Sequence, residues 1–246
     1  MRKIFMAMLL SISALASSPA MSQAAAAADQ EAPAQADLVS EGIELIKSSR
    51  PGDAIERFDR VIAWYERAYA GETRKIYCAG SPSESVAYLV LGAAYEKKDA
   101  ITLDQTWAHA IFFKGYALID LGRREDARPL FRRALELSPR NSQDLSEYAE
   151  LKKGDRDWQE SYDLFEEAHG AASLMPEEKQ GFWQARALRG MGFTLIELGD
   201  LDKAETMFRK SLELDPNNQG ARSELQYIED VRKQQPKANA GPPSRS

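Results

Sequence analysis

The chain has 246 residues, with 32 Lys and Arg against 38 Asp and Glu and a formal net charge of −6. This acidic balance, without a basic stripe, makes nucleic acid a poor partner, because that affinity comes from neutralising phosphates. It also disfavours docking on an anionic membrane surface. The one cysteine, Cys78, cannot make an internal disulfide, so stability has to come from packing.

In chain order, Arg2 and Lys3 precede the largely apolar run Ile4–Ala16, which is too short to span a bilayer. Small residues follow, and the pattern is that of a secretory signal over 1–24. Cleavage after Ala16, Ala20 or Ala24 fits, the later two better. Without Arg2 and Lys3 the chain keeps 30 basic against 38 acidic residues, a net charge of −8. No later apolar run approaches ~18 residues, so stable membrane insertion is not expected and the mature protein is expected to be periplasmic or secreted. Residues 25–36, including DQEAPAQA, are expected to form a linker. A single folded domain is expected over 37–231, and 232–246 reads as a disordered tail.

Within the domain one spacing recurs. Ala127, Phe131 and Ala134 form A-x3-F-x2-A. Thirty-four residues later stand Ser161, Phe165 and Ala168. Ala204, Phe208 and Ser211 repeat the set, and Ala54, Phe58 and Val61 stand upstream. A small residue lies twelve positions before each set, at Gly42, Gly115, Ala149 and Gly192. Turn glycines, Gly122 and Gly199, separate the halves of two copies, and SPRN and DPNN close the same two. In the third copy Gly154 falls two residues early. The physical reading is a helical hairpin: small residues let two helices approach, phenylalanine fills the gap, and proline stops the second helix. A lone hairpin leaves an apolar face bare, so stacking is required.

Between the first two copies, Ser81-Pro82-Ser83-Glu84 reads as a capping box opening an extra helix over Pro82–Lys98. Thr102-Leu103-Asp104-Gln105 reads as another, opening a helix over Leu103–Leu121. After the last copy, Ala221, Leu225 and Ile228 mark an amphipathic capping helix expected to cover Leu212 and Leu214.

This unit resembles the tetratricopeptide repeat, whose pattern is W-x2-L-G-x2-Y, then A-x3-F, then P. The second copy departs from it with Ile111 and Lys114 at the aromatic and leucine positions. The resemblance implies an all-α superhelix, a solenoid of about four hairpins plus the extra helix and the capping helix. It further implies that first helices line a concave groove for a protein or peptide partner. The inward positions are then His109, Phe112, Tyr116 and Ile119 in the second copy. In the third they are Gln143, Ser146, Glu147 and Glu150, and in the fourth Arg186, Arg189, Phe193 and Ile196. The lysine–asparagine clamp that some relatives use for a C-terminal carboxylate is absent, since Val39, Ile43 and Glu147 stand there. An extended peptide with an apolar anchor and an acidic group fits better. Phe112 and Tyr116 have a competing reading, as packing against the extra helix.

His109 and His169 lie in different repeats, without a partner motif for metal binding. Gly190-x-Gly192 sits inside a helix and reads as packing. No cofactor is expected. The expected role is a non-catalytic interaction scaffold. Two alternatives remain: a thiol-dependent enzyme or redox partner built on Cys78, and a self-assembling structural repeat protein.

Overall fold

A computed structural model of the chain describes residues 19–234. The signal segment lies outside these residues up to position 18, and so does the expected tail from 235. The helices are α1 (Pro19–Lys47), α2 (Pro51–Ala68), α3 (Pro82–Val90), α4 (Thr106–Asp120), α5 (Arg124–Leu137), α6 (Ser142–Gly154), α7 (Trp158–Ala171), α8 (Glu177–Glu197), α9 (Leu201–Leu214) and α10 (Gln219–Gln234). Two four-residue strands, β1 (Lys75–Cys78) and β2 (Ala100–Leu103), flank α3. The expected linker at 25–36 is not a break: α1 runs through it, as its alanine-rich composition favours.

Four antiparallel pairs, α1–α2, α4–α5, α6–α7 and α8–α9, are the four expected hairpins. Phe58, Phe131, Phe165 and Phe208 are all at most 2% exposed. A Cβ on Gly42, Gly115 or Gly192 would fall 2.5, 3.1 or 2.8 Å from the phenylalanine ring of its own hairpin. In the third hairpin Ala149 replaces the glycine, and Phe165 packs on Gly190 of the next, where a Cβ would lie 2.4 Å away. The Gly190/Gly192 pair is therefore packing surface on both sides of α8.

All four hairpins turn in the same way, including the two without a turn glycine. Ser49, Gly122, Arg156 and Gly199 have φ of 57°, 74°, 62° and 84°. Each donates its N–H to the carbonyl three residues back: Ile46, Ile119, Lys153 and Ile196. The following residue donates five back, to Leu45, Leu118, Lys152 and Leu195. These are Schellman ends, which satisfy the last helix carbonyls. Gly154 is thus not the turn residue of the third copy; Arg156 is. Gly154 is small because the Arg124 guanidinium lies against it, 2.2 Å from an added Cβ, and donates to the Leu151 carbonyl at 2.6 Å.

The segment between the first two hairpins holds strands that the sequence reading does not anticipate. β1 and β2 pair in parallel, Lys75 opposite Ala100 through Cys78 opposite Leu103, and parallel pairing needs a crossing element, which α3 supplies. A π-helical turn, Leu91–Glu96, continues α3 until Lys97 ends it in the left-handed conformation, φ 54°. Ser81 caps α3 as expected, its Oγ accepting from the Glu84 N–H at 3.0 Å. The second expected box does not form. Thr102 and Leu103 are in β2, and the Asp104 carboxylate accepts from the Thr106 N–H at 2.8 Å, so α4 starts three residues later than expected.

The nine extra residues between the third and fourth signatures are accounted for by a 3₁₀ turn, Ala172–Leu174, and by α8, 21 residues long. At the C-terminus α10 buries Ala221 and Ile228 against Phe208 and Leu212. Leu214, expected beneath it, stays 44% exposed. Pro129 lies inside α5, and nothing in the structure explains it.

Candidate functional site

The inward face starts on α4, and the structure splits its expected residues. Phe112 is 1% exposed, edge-on to Phe131 at 5.3 Å and to Phe113 at 5.1 Å. It belongs to the core of the second hairpin and not to a groove, which corrects the expectation. Its neighbour four positions on, Tyr116, is 39% exposed and available. Neither packs on the extra helix. α3 rests chiefly on β1 and β2, and its Tyr88 hydroxyl accepts from the Arg140 N–H at 3.2 Å. His109 is half-buried, edge-on to Phe113 at 5.7 Å. Burial holds its imidazole down to about 4, with the Lys179 charge acting in the same direction and Asp104 opposing, so it is neutral near pH 7.

On α6, Gln143 and Glu147 are half-buried while Ser146 is buried and donates to the Ser142 carbonyl. Glu147 pairs with Arg186 across the groove at 2.5 Å. Burial raises the Glu147 carboxyl above its ordinary range and the arginine charge opposes that shift. One turn on, Lys153 pairs with Glu150 at 2.5 Å and lies 4.4 Å from the centre of the Phe193 ring, a cation–π contact.

α8 supplies Arg186, Arg189 and Phe193. Arg189 donates to Asp215 at 3.2 Å, and Asn218 donates to the same carboxylate at 2.9 Å. Trp158 lies 6.4 Å from Phe193, and the Arg186 guanidinium stands 5.7 Å over Trp183. Arg186, Arg189, Phe193 and Asn218 border a cleft of roughly 250 Å³ between α6, α8 and α10, with Glu150, Lys153 and Glu224 also in its walls. The structure thus brings Glu147, Arg186, Arg189 and Phe193 together, with Tyr116 in the field of Glu147 and Arg186.

Four contributors are not expected from sequence. Lys153 is a last-turn lysine that looks like ordinary helix-end charge. Asp215 and Asn218 belong to DPNN, which reads as a repeat terminator. Trp183 lies on the extension of α8 beyond the repeat, for which the signal is the nine-residue excess in spacing. Chemically the cleft is a set of donors already matched with carboxylates. It can accept an acidic group that displaces Asp215 or Glu147, and it can stack an apolar side chain on Phe193.

Cys78 is elsewhere, fully buried at the end of β1, and burial pushes its thiol up to about 12. A reactive thiol needs the opposite shift. Among the described residues no group of three His, Cys, Asp or Glu is placed to hold a metal ion. No helix among them is long and apolar enough to cross a membrane.

Two family models, each described as tetratricopeptide repeat, match residues 108–141 and 144–217. No curated protein sequence matches the chain. Among solved structures, the fold is similar to one described as "Functional Characterization of Pseudomonas Aeruginosa pilF". There the identity is 14% over 83% of this chain and 71% of that one, and the TM-score is 0.59. It is similar also to the "MamA RS-1 ArsTM double mutant", at 16% identity over 82% and 86% of the two chains and a TM-score of 0.52. At such identities the likeness concerns the fold alone. With four hairpins of one geometry and these matches, the chain carries tetratricopeptide repeats over residues 108–141 and 144–217.

Proposed function

We propose that the protein is an exported, non-catalytic scaffold that takes an extended peptide or partner protein along its concave face. The observation that carries this reading is the open cleft at the α8–α10 end, where Arg189 and Phe193 stand side by side next to Lys153. Guanidinium, ammonium and aromatic faces meet there, a combination that suits recognition of an acidic and apolar segment. The buried thiol of Cys78 argues against the thiol-dependent alternative.

A photo-crosslinking residue at Phe193 should capture a partner protein in cells, while the same residue at Arg132, exposed on α5, should not. Combined Arg189→Ala and Phe193→Ala should lower capture far more than the modest loss of thermal stability from their lost contacts accounts for. Equal capture from the two crosslinker positions would end the groove reading. Export is tested separately by N-terminal sequencing of the protein from a periplasmic extract. A chain starting at Met1 and confined to the cytosol would refute it.

A further inference from the structure

Asp144 breaks the pattern of the repeat around it. In α4 and α8 the residue five positions before the small hairpin residue is Ala110 and Ala187, both fully buried. In α6 that place belongs to Asp144. The starts of α6 and α10 match as well: the Asn141 side chain accepts from the Asp144 N–H at 3.1 Å, and the Asn218 side chain accepts from the Ala221 N–H at 3.0 Å. An acid therefore stands where the other helices carry alanine. It is just as buried, and neither carboxyl oxygen has a partner among the described residues. Burying a carboxyl costs far more than burying a methyl group, so packing does not explain the residue.

α3 covers this acid, and α3 is lightly held. The β1–β2 ribbon beneath it has two faces. Ile76, Cys78 and Leu103 belong to the main core, whereas Tyr77, Ala79 and Ala100 form a separate small core with Tyr88 and Leu91. To the solenoid α3 is tied by polar contacts: Ser81 Oγ donates to the Leu174 carbonyl at 2.6 Å, and the Tyr88 hydroxyl accepts from the Arg140 N–H at 3.2 Å. A hollow of roughly 330 Å³ separates Val90 and Tyr95 from Leu174. The outward stripe of α3, Val86, Leu89 and Val90, is exposed and uncharged. A helix with its own small core and a polar seam is a unit that can open by itself.

The groups that face Asp144 are acidic or uncharged. α3 contributes Glu84, 1% exposed, and Tyr88; β1 contributes Cys78; α6 itself contributes Glu147, which pairs with Arg186. On the stretch joining α5 to α6, Ser138 donates to the Cys78 carbonyl and the Asn141 side chain accepts from the first N–H groups of α6. No cation among the described residues acts on Asp144; burial first, then Glu84, then Glu147 raise its pKa. Glu84 accepts from the Gly80 N–H at 2.7 Å and from the Gln105 amide, so of the two buried carboxyls it can carry a charge while Asp144 keeps a proton. Burial pushes the Cys78 thiol up to about 12 and also raises the Tyr88 hydroxyl, so both stay protonated near neutral pH.

We propose that Asp144 and Glu84 form a pH-sensitive latch under α3, which is closed while the pair keeps one proton and opens when that proton is lost. Without the proton, two buried carboxylates stand together with no cation, and water reaches them when α3 lifts from the ribbon. Asp144 has its raised pKa in the closed form. Closure is therefore fully favoured below the open-form value, near 3.9, and weakens as the pH rises, the opening equilibrium growing by up to about tenfold per pH unit. β1 and β2 stay in the main core through Ile76, Cys78 and Leu103, so Cys78 remains covered. The latch is independent of the concave cleft.

Hydrogen exchange of the full chain, read by mass spectrometry on peptides covering 82–96, tests the latch from about pH 6 to about pH 9. Wild type is compared with Asp144→Asn and Asp144→Ala at each pH, so the chemical dependence of exchange on pH cancels. Relative to both variants, protection of wild-type α3 should fall as the pH rises, by up to about tenfold per pH unit, while α8 and α9 keep theirs. Alanine is what the other helices carry at this place, so that variant decides the matter if the asparagine amide disturbs folding. Wild-type protection in α3 that follows the variants at every pH overturns the proposal. So does a loss that appears equally in α8 and α9, because that is unfolding of the whole molecule.

Discussion

Replacing Asp144 by asparagine should stabilise the protein at neutral pH and lose that advantage in acid. Asp144 lies in the first turn of α6, 1% exposed, and neither carboxyl oxygen has a hydrogen-bond partner among the described residues. An acidic residue three places after an N-cap would ordinarily reach back to the cap's N–H. Here the Asn141 N–H already donates to the Ser138 carbonyl at 3.0 Å. Burial first, then the neighbouring carboxyls of Glu84 and Glu147, push the Asp144 pKa well above its ordinary range. The folded state therefore holds a proton that the unfolded chain releases. Its contribution is fully present below the unfolded pKa, near 3.9, and is lost as the pH rises. The loss is about 1.36 kcal/mol for each pH unit between the unfolded and the folded pKa. Asparagine avoids it but buries an amide without a partner, which costs about 1–3 kcal/mol. The net expectation is a gain at pH 7 that shrinks as the pH falls and is zero or negative near pH 4. Urea unfolding of both proteins across this range reads the difference directly. The lowered pKa of His109, about 4, runs the other way, removing stability as the pH falls from its ordinary value near 6.5. That contribution is common to both proteins and cancels in the comparison. A difference that stays constant with pH would refute the account of a buried neutral carboxyl.

The remaining expectations concern packing. Gly42→Ala puts a Cβ 2.5 Å from the Phe58 ring and should cost about 1–3 kcal/mol, whereas Gly115→Ala at 3.1 Å from Phe131 should be near neutral, helped by helix propensity. Thermal unfolding in the reverse order would sink that ranking. Arg156→Gly relieves a left-handed arginine and should raise stability by about 0.5–1 kcal/mol; any loss would show that the side chain matters more than its backbone. Phe112→Ala should cost about 3–5 kcal/mol, as a core residue does. Tyr116→Ala should cost well under half of that and change partner capture instead, and equal losses would contradict the split between them. Cys78 should resist thiol reagents until the protein unfolds, and rapid labelling of native protein would revive the thiol alternative.

How much of the molecule is legible in the sequence depends on how local the physics is. The A-x3-F spacing names contacts that recur identically, so it places Phe58, Phe131, Phe165 and Phe208 inside their hairpins by itself. The turns are half legible. Gly122 and Gly199 announce a positive φ, but Ser49 and Arg156 reach the same conformation because the hairpin contacts on either side dictate it. KIYC and AITL are not legible as strands. Each has four residues, and a parallel pair depends on a partner 25 positions away with a helix between. In the candidate site Arg186, Arg189, Phe193 and Glu147 are legible because inward positions follow helix geometry. The same rule misplaces Phe112, since one α4 face serves both the groove and the hairpin core. The Glu147–Arg186 and Arg189–Asp215 pairs lie 39 and 26 residues apart and leave no local trace.

The repeat interval itself carries the last step. Identical hairpins at 34 residues give identical surfaces, so what individualises this chain sits where the interval breaks. The first break, between Ala54 and Ala127, holds β1, α3 and β2, and α3 carries the uncharged outward stripe. The second, between Ser161 and Ala204, holds the 3₁₀ turn and the extended start of α8. The two breaks touch: Ser81 of the first is bonded to Leu174 of the second. From that junction the second break reaches both surfaces. Its Leu174 walls the hollow beside Val90 and Tyr95, while Trp183 lies under Arg186, which borders the concave cleft. One added segment therefore contributes to the outer face and to the groove, and a solenoid of strictly regular repeats would possess neither feature.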